Sequence, residues 1–542
     1  MSPLTHPPHQ PPEEPGNAPN PHLRPPRLEE NPYAQDPPGP AGGFGPPPPG
    51  FGPPVSHPPH GQVAPPSRPA GRDGARRGRT LGLVGVVVVA VLAAGGYLLG
   101  AGRIETSAPT AAPRTGKDGA AAATGEGKAA GPRPAERALD LDAGRQPGED
   151  RALFLKVNEV DVPASGADTR GIWFAGDTVV KAVYKSLNGY GARDGKPRWS
   201  VLFKGAVCAV PPQGTADGRL VVASKDGTSS RARCNQLTMV DLRTGHTGWT
   251  KEVPKEGPFD VMASPSMAIS GDTVTFSRLG PSSGFRVSDG EKVFAHWKAD
   301  CLPVAYAGGS KLVALLGCRD GSERIQGTDP GTGRGTWTYR VPGGWSVSRV
   351  YAVDPVVIDL SHKQRKQRAV VVLTAGGAVR ARVAGADDLQ PVCGYGLLHR
   401  SLQNCTGVVV DTASLYLPTE PRPDVRGHGR SNAVVAFDLA TGKVRWRAEA
   451  GQGRRILPVA SYGGTLYAYL EATHSQPGQV LALGSDGGTA TPVLRHPSGT
   501  TQVEDSFVSP QFAYVDGRFF LSTTRLLGTD GVEEKLLMAF GK

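Results

Sequence analysis

The sequence lacks several short motifs that mark common catalytic and metal sites. It contains no His-Glu-x-x-His, no Cys-x-x-Cys and no phosphate-binding Walker loop. These absences argue against a zincin-type metalloprotease, a thioredoxin-like or zinc-ribbon site, and a P-loop nucleotidase. The sequence therefore predicts no catalytic, cofactor-binding or metal-ligating residue, and it favours a protein that is not an enzyme.

Cysteine is scarce and is confined to the C-terminal part of the chain. None precedes residue 103, and the six are Cys208, Cys234, Cys301, Cys318, Cys393 and Cys405. An even number on one side of a predicted membrane span indicates disulfides in an oxidising compartment, with buried free thiols as the alternative. Pairing by proximity along the chain gives Cys208–Cys234, Cys301–Cys318 and Cys393–Cys405, which is one of fifteen connectivities.

Residues 1–79 are short of apolar side chains and hold 25 of the 51 prolines. So little apolar surface cannot offset the entropy of folding, and the composition predicts a disordered, Pro/Gly-rich tail with polyproline II character. Such a tail is either a solvated spacer or a ligand for aromatic grooves of partner domains.

Residues 80–102 carry no charge, and a helix of about 20 apolar residues crosses the hydrocarbon core of a bilayer. Arg72, Arg76, Arg77 and Arg79 precede this segment, whereas Arg103 alone follows it closely. The positive-inside rule then predicts a single-pass plasma-membrane protein with a cytoplasmic tail, and the lipid bilayer as partner of residues 80–102. Residues 103–150, rich in Ala and Gly, are predicted to form a flexible extracytoplasmic linker.

The C-terminal part contains a repeated strand–turn–strand unit. Its clearest copy is Ala436-Phe-Asp-Leu-Ala-Thr-Gly-Lys-Val-Arg-Trp446. Weaker copies have turn glycines at 195, 245, 290, 333 and 487, with one gap of double length that holds Arg368–Thr374. In four copies a Trp follows the turn glycine by four residues; these are Trp199, Trp249, Trp337 and Trp446.

A period of about 40–50 residues with four strands per unit is typical of a β-propeller. Residues 151–542 are therefore predicted to form an all-β propeller of eight blades, or of seven if the degenerate unit is an insertion. The run Ala152–Val157 is predicted to supply the outer strand of the last blade, since closure removes exposed sheet edges.

The phrase Ala436-x-Asp438-x-x-Thr441-Gly442-Lys443-x-x-Trp446 resembles the repeat of the PQQ-binding-like β-propeller superfamily. That superfamily includes quinoprotein alcohol dehydrogenases and the propeller lipoprotein of outer-membrane assembly. The resemblance, over roughly residues 151–542, implies eight blades and a structural role for the repeated Trp side chains, which pack between blades. PQQ and calcium are not expected, because the dehydrogenases carry adjacent disulfide-bonded cysteines and the nearest pair here is Cys393 and Cys405.

The run Ser361-His-Lys-Gln-Arg-Lys-Gln-Arg368 concentrates four basic side chains in eight residues. It is either a solvated loop between two strands or a contact for the phosphate groups of teichoic acid, nucleic acid or lipid headgroups. No specific nucleic-acid binding is expected.

Together these features predict a membrane-anchored extracytoplasmic propeller that acts as a non-enzymatic scaffold for a protein or an anionic cell-envelope partner. Two alternatives stay open. One is a sensor that signals ligand binding across the membrane, and the other is a quinoprotein-type oxidoreductase.

Overall fold

The structure, a computed structural model, describes the C-terminal part of the chain. The described residues are 140–169, 171–256, 260–394, 401–403, 405–423, 429–451, 453–487, 489–528 and 533–542. Residues 1–139, which include the predicted tail, the predicted span and most of the predicted linker, lie outside them. Within the described residues no helix is both long enough and apolar enough to cross a membrane.

Eight four-stranded antiparallel sheets follow one another along the described residues, and we call them blades 1 to 8, with strands a to d in order across each sheet. Blade 1 consists of Ile172–Ala175, Thr178–Val183, Ser186–Gly191 and Pro197–Leu202; blade 2 of Val207–Ala209, Arg219–Lys225, Cys234–Asp241 and Thr247–Glu252; blade 3 of Val261–Ser270, Thr273–Leu279, Ser282–Arg286 and Lys292–His296; and blade 4 of Cys301–Ala307, Leu312–Cys318, Glu323–Thr328 and Gly335–Arg340.

Blade 5 consists of Trp345–Val353, Val356–His362, Arg368–Leu373 and Val379–Arg382; blade 6 of Val409–Val410, Ser414–Pro418, Ala433–Asp438 and Val444–Glu449; blade 7 of Ile456–Tyr462, Thr465–Leu470, Gln479–Leu483 and Thr491–Arg495; and blade 8 of Gln511–Val515, Arg518–Ser522, Lys535–Gly541 and Arg151–Val157. Three two-stranded ribbons pair Ala167–Asp168 with Arg525–Leu526, Val392–Cys393 with Cys405–Thr406, and Arg422–Pro423 with Arg430–Ser431. The short helices are the 3-10 turns Ala386–Asp388 and Ser498–Thr500 and the α-helix Thr501–Asp505, called α1.

The prediction of an eight-bladed propeller is confirmed, and the degenerate unit is blade 5 rather than an insertion. Strand d of blade 8 is Arg151–Val157, which pairs antiparallel with Lys535–Gly541 from the other end of the described chain. Apolar side chains of blades 8 and 1 then form one cluster, in which the Phe174 and Phe520 rings lie 4.9 Å apart. The ring therefore closes between the first and last strands that the structure describes.

The position of a strand within its blade, from a at the axis to d at the outside, determines how many of its residues are buried. From blade 2 to blade 8, strand a of one blade contacts strand a of the next, so these strands surround the axis. Strand b is covered on both faces by neighbouring blades, and all six residues of Thr178–Val183 are buried. Strand d lies outside, and Pro197–Leu202 is exposed or half-buried along its length. The buried strands therefore appear in the sequence as short continuous apolar runs.

An aromatic ring in strand d rests on the c–d turn glycine of the following blade, and we call this contact the blade latch. A Cβ atom on any of these glycines would lie closer than 3.0 Å to the ring, and each glycine has a positive φ. Both facts favour glycine at the turn. The pairs are Phe154 with Gly195, Trp199 with Gly245, Trp249 with Gly290, Phe294 with Gly333, Trp337 with Gly377, and Trp446 with Gly487.

Blade 5 forms no aromatic latch, because Ala381 stands where the six latched blades place the ring. The backbone closes the gap instead. A Cβ on Gly442 (φ +73°) would overlap the carbonyl oxygen of Arg382, and the N–H of Ala384 donates to the Gly442 carbonyl at 3.1 Å. The degenerate unit thus keeps the blade spacing without its aromatic side chain.

The turn Asp of the repeat holds the turn in shape. The Asp438 carboxylate accepts hydrogen bonds from the N–H groups of Ala440 and Thr441, at 3.0 and 2.8 Å, and from the Thr441 hydroxyl. These bonds lower the pKa of Asp438. The same carboxylate-to-backbone bonding recurs at Asp241 and Asp329, as expected for an Asx-type turn.

Three disulfides tie neighbouring strands, and the described residues contain no free cysteine. Cys301–Cys318 joins strands a and b of blade 4, Cys208–Cys234 joins strands a and c of blade 2, and Cys393–Cys405 closes a ribbon between blades 5 and 6. These are the pairs that proximity along the chain gives.

Residues 140–150, the end of the predicted linker, lie against the propeller. The Asp142 carboxylate accepts from the N–H of Ala152 at 3.2 Å, and Leu141 packs on the core of blades 7 and 8. Asp150 donates its N–H to the Arg495 carbonyl at 2.7 Å and accepts from the Arg495 N–H at 2.8 Å. The chain thus enters strand d of blade 8 at the end of the sheet where, in the other blades, a turn connects strands c and d.

Gly442→Ala is expected to lower the free energy of unfolding by about 3 kcal/mol or more, because the new methyl group meets backbone that cannot rotate away. Gly463→Ala is the matched control: Gly463 also has a positive φ (+57°), but no atom lies within 4 Å of its added Cβ. The control should lose only about 1–2 kcal/mol, for the left-handed backbone alone. Urea unfolding measures both, and equal losses would contradict the latch geometry.

Non-reducing peptide mapping is expected to recover the three disulfides Cys208–Cys234, Cys301–Cys318 and Cys393–Cys405. Each should contribute about 2–4 kcal/mol of stability, so reduction should lower the melting temperature. Six freely alkylated thiols in the native protein would contradict the pairing.

Candidate functional site

The propeller has two different faces because its strands alternate in direction. The a–b and c–d turns lie at one end of every blade, which we call the turn face. The b–c loops and the connections between blades lie at the other end, the loop face. Among the described residues, ten large apolar side chains are exposed. Seven belong to the loop face: Leu202, Val261, Leu279, Trp297, Val392, Val508 and Leu527.

Blade 3 contributes three of these side chains, Val261, Leu279 and Trp297, which we call the blade 3 patch. Val261 lies directly opposite Leu279 in the sheet, and Trp297, 62% exposed, follows the end of strand d. Isolated exposed apolar residues are ordinary, but groups of them mark interaction sites. The blade 3 patch is therefore the first candidate for a partner contact.

A buried ion-pair cluster lies next to the blade 3 patch in the sequence, since Asp260 precedes Val261 and Arg278 precedes Leu279. The fully buried Arg278 guanidinium lies 3.1 Å from the Asp260 carboxylate and 3.4 Å from that of Glu256. Burial lowers the pKa of Arg278, while the two carboxylates oppose that change. Because Arg278 precedes Leu279, this pairing fixes the end of strand b.

The basic run Ser361–Arg368 forms the b–c loop of blade 5, also on the loop face. Lys363, Arg365 and Lys366 are exposed there, and Lys363 donates to the Gly321 carbonyl of blade 4 at 3.2 Å. Arg368 differs. Its guanidinium pairs with Asp359 at 2.7 Å and also hydrogen-bonds the Tyr351 hydroxyl and the Leu389 carbonyl. The loop therefore presents three cations to solvent, not the four counted along the sequence.

In the central channel lie Leu402 and Gln403, described residues of the connection between blades 5 and 6, which we call the insertion. The Leu402 carbonyl accepts from the N–H of Val350, in strand a of blade 5, at 2.9 Å. The Gln403 amide bonds both backbone groups of Gly308, just beyond strand a of blade 4, at 2.7 and 3.0 Å. Because strands a surround the axis, this insertion occupies the channel beside blades 4 and 5.

A small cavity of about 180 Å³ remains next to the insertion. Its lining combines blade 2, blade 5 and the insertion: Pro212, Gln213, Val350, Tyr351, Gln403, Cys405 and Val408. Burial, and then the Asp359 carboxylate, raise the pKa of Tyr351, so its hydroxyl stays protonated. In the described part of the chain, no group of three or more His, Cys, Asp or Glu side chains is placed to hold a metal ion.

Sequence reasoning missed a buried cluster between blades 7 and 8. Glu504, in α1, accepts from His496 Nδ1 at 2.7 Å, from the Tyr469 hydroxyl at 2.6 Å and from the Gly478 N–H at 3.2 Å. The His496 ring stacks on Phe540 with centroids 3.8 Å apart. Hydrogen-bonded Glu, His and Tyr side chains suit acid–base chemistry. Here the carboxylate and imidazole are fully buried, which favours a structural hydrogen-bonded cluster.

A second motif also escaped the sequence analysis. Gly280-Pro-Ser-Ser-Gly284 has the Gly-x-Ser-x-Gly spacing of hydrolase nucleophile turns. Ser282 instead begins strand c of a β-hairpin and is fully buried, with its hydroxyl 3.5 Å from that of Tyr306. A nucleophile elbow joins a strand to a helix and exposes its serine. This segment does neither.

The repeated Trp side chains lie between blades and away from the channel and the loop-face patches. Trp249 Nε1 donates to the Val287 carbonyl at 2.8 Å and Trp446 Nε1 to that of Ser485 at 3.1 Å. Within their own blades, Trp199 lies opposite Gly189 and Trp337 opposite Gly327. A Cβ on either strand glycine would overlap the ring. The sequence analysis did not identify these two glycines.

Stability at acid pH is expected to depend on Glu504. Burial raises its pKa, but His496, Tyr469 and Gly478 outweigh burial and hold it below the ordinary value of 4.5. The ionised carboxylate therefore stabilises the fold above pH 4.5, and this contribution is lost as the pH falls through the folded-state pKa. Glu504→Gln should lower the unfolding free energy at pH 7 by about 3 kcal/mol.

Urea unfolding at several pH values between 7 and 3 tests this. The difference between Glu504→Gln and the natural chain should shrink as the pH falls. Asp505→Asn, an exposed neighbour in α1, is the control and should change stability little at any pH. A difference for Glu504→Gln that stayed constant with pH would contradict a stabilising role of the ionised Glu504 carboxylate.

Residues 137–299, from the end of the predicted linker to blade 3, match the protein family described as "Outer membrane protein assembly factor BamB". This segment is less than a third of the chain, and it includes Trp199 and Trp249. No curated protein sequence matches the chain.

Solved structures that resemble the chain include propellers of different function. BamB from Moraxella catarrhalis is 15% identical, with a TM-score of 0.41, over 72% of this chain and 100% of its own. Quinohemoprotein alcohol dehydrogenase from Comamonas testosteroni is 13% identical, with a TM-score of 0.40, over 70% and 75%. A europium-containing methanol dehydrogenase is 10% identical, with a TM-score of 0.41, over 72% and 93%. At these values the likeness carries no argument about function, and the propeller assignment rests on the eight sheets themselves.

Proposed function

We propose that this protein is a membrane-anchored, extracytoplasmic scaffold whose propeller binds a partner protein through its loop face. The observation that carries the proposal is the concentration of exposed apolar side chains on that face, above all the blade 3 patch. Covering exposed apolar groups with a complementary surface removes them from water and lowers the free energy of the complex. The family matched by residues 137–299 is described as a protein assembly factor, which supports a protein partner.

The support under the blade 3 patch favours specific binding. Val261 and Leu279 project from paired strands, and the Arg278 ion pairs with Asp260 and Glu256 hold that end of the blade. Little conformational entropy is then lost on binding, which favours affinity. Large aromatic side chains such as Trp297 are frequent energetic centres of interfaces.

The channel supports a scaffold over an oxidoreductase. In the described residues, the insertion between blades 5 and 6 hydrogen-bonds to blade 4 and blade 5 inside the channel, through Gln403 and Leu402. The cavity left beside it, about 180 Å³, is below the usual range of about 300–1,000 Å³ for sites that bury an organic ligand.

Location outside the cytoplasm is part of the proposal and has its own support. Three disulfides suit an oxidising compartment. The chain enters blade 8 at Asp150–Arg151, on the turn-face side, after the predicted span and linker. A tether there leaves the loop face free for a partner.

An anionic cell-envelope polymer is a second candidate partner, favoured by the b–c loop of blade 5. Lys363, Arg365 and Lys366 project from the loop face without a carboxylate partner among the described residues. Phosphate or carboxylate groups repeated along a polymer would be attracted to such a loop, with an affinity that falls as salt is added.

Site-specific photocrosslinking in intact cells tests the main proposal. A photoreactive residue at position 297 or 279 is expected to form one dominant adduct with a protein. The same residue at Tyr462 or Val444, exposed on the turn face, should not give that adduct and serves as the control. The double variant Leu279→Ser/Trp297→Ala should reduce co-purification of the same protein at least about ten-fold, as hot-spot residues do.

Adducts from the turn face only would contradict the loop-face assignment. The enzyme alternative is tested separately with the full-length protein and added PQQ and calcium. We expect no alcohol-dependent dye reduction, and a saturable activity would contradict a non-enzymatic scaffold. If the double variant keeps its protein partner while Lys363→Gln/Arg365→Gln/Lys366→Gln loses envelope association, the polymer becomes the favoured partner.

A further inference from the structure

The seam between blades 8 and 1 contains a buried lysine that has no hydrogen-bond partner among the described residues. Lys181 lies in strand b of blade 1, is 0% exposed, and its Nζ atom makes no hydrogen bond. Burial lowers its pKa to about 7. A buried amine without an acceptor destabilises a fold, so its presence in an otherwise apolar strand requires an explanation.

Strand alternation places the Lys181 side chain on the blade 8 side of its sheet. Val179 and Val183, two residues before and after it, pack in the cluster shared by blades 1 and 8. Asn188 is its register partner in strand c, and Tyr190 follows on the same face. Lys181 therefore lies within the seam where the propeller ring closes.

A cavity of about 320 Å³ lies at the same seam, and its lining includes neighbours of Lys181 but not Lys181 itself. Three residues around Lys181 on that face, Val183, Asn188 and Tyr190, line the cavity, and Lys181 lies behind them. The opposite wall comes from blade 8 and the segment that follows its outer strand, with Lys156, Val157, Asn158, Glu159, Val160 and Leu536. This volume is in the range of small-molecule sites, which combine apolar walls with a few polar groups.

Two polar groups of the wall are available to a ligand. The Lys156 ammonium lies 5.6 Å from the centroid of the Tyr190 ring, and its nearest carboxylate is that of Glu159, at 3.9 Å. The Tyr190 hydroxyl makes no hydrogen bond within the described structure. Burial, and then Glu159, raise its pKa to about 12, so it remains a donor.

The other polar groups of the wall are engaged or exposed. The Asn188 amide donates to the Ser186 hydroxyl and accepts from that of Ser200, at 2.9 and 2.7 Å. Arg198 is held by Thr178 and Asp177. The Glu159 side chain is 78% exposed, at the mouth. The Lys156 ammonium, with the partly protonated Lys181 amine behind the wall, faces one exposed carboxylate, so the seam favours a negatively charged ligand.

We propose that this seam cavity binds a small organic anion, whose phosphate or carboxylate group contacts Lys156 and Tyr190 while Lys181 supplies positive charge from behind the wall. Binding brings a negative charge near Lys181, which favours its protonated form. The complex should therefore take up protons when it forms just above pH 7. The apolar part of the wall, including Leu536 and Val160, accommodates an organic body larger than the anionic group alone.

Calorimetric titration of the full-length protein tests the proposal with four probes: glucose 6-phosphate, glucuronate, inorganic phosphate and glucose. One or both charged sugars are expected to bind saturably, whereas glucose does not; the phosphate and carboxylate arms identify the anionic group. Lys156→Gln should weaken binding about ten-fold, the effect of losing one charge-assisted hydrogen bond. Glu159→Gln should strengthen it.

Lys196→Gln, on the same blade but exposed on the turn face, is the control and should bind as the natural chain does. Lys181→Met should keep the fold, raise the melting temperature at pH 7, weaken binding and abolish proton uptake. Proton uptake is read from titrations at pH 7.5 in buffers of different ionisation enthalpy. The proposal is overturned if no probe binds saturably below about 10 mM, or if Lys156→Gln and Lys181→Met leave binding unchanged.

Discussion

The contact between an aromatic ring and the turn glycine of the next blade is the constraint on which this fold depends. A single four-stranded sheet cannot bury its own apolar faces, so each blade needs its neighbours. The ring can approach the turn only where there is no Cβ, and the turn requires a positive φ that glycine adopts without strain. At the six junctions where it occurs, the latch thus limits how closely neighbouring blades approach. Trp446 on Gly487 and Phe154 on Gly195 are the same contact, although Phe154 precedes blade 1 in the chain.

Much of the fold could be predicted because the latch leaves a local signature. The Asp, the Thr-Gly pair and the Trp four residues later all lie within nine residues of sequence. The repeat of blade 6 can therefore be recognised directly, and the spacing of its copies gives the period. Blade 5 was harder because Ala381 replaces the ring and the backbone at Arg382 makes the contact instead. Gly189 and Gly327 could not be found at all, since an isolated glycine in a strand does not reveal which ring lies opposite it. Disulfide pairing was accessible because Cys301 and Cys318 face each other in one hairpin. The predictions for residues 1–139 stay predictions.

The candidate sites were much less accessible than the fold, because they are assembled from positions far apart in sequence. Packing of α1 against blade 7 brings together His496, Glu504 and Tyr469. No sequence spacing predicts this cluster. The blade 3 patch becomes a surface only when the strand ends at Val261 and Leu279 are brought together. Lys181 did offer a signal, a lone lysine inside Val-Val-Lys-Ala-Val, but an apolar run with one lysine is also common at sheet edges. Burial on both faces, which the ring imposes, is what makes that lysine exceptional.

Ring closure, tether and seam cavity share one strand, Arg151–Val157. It pairs with Lys535–Gly541 to complete blade 8, follows the end of the predicted linker, and contributes Lys156 and Val157 to the cavity wall. A ligand that contacts both this strand and blade 1 binds the closed ring better than an opened one, and so stabilises closure. Linkage makes the effect reciprocal. A change that favours detachment of this strand lowers the affinity for the ligand by the same factor by which the ligand disfavours detachment. The buried amine of Lys181 biases the same equilibrium in the opposite direction, since opening the seam would return it to water. The seam therefore joins a destabilising buried amine, the proposed site for its counter-charge and the point at which the chain enters the propeller.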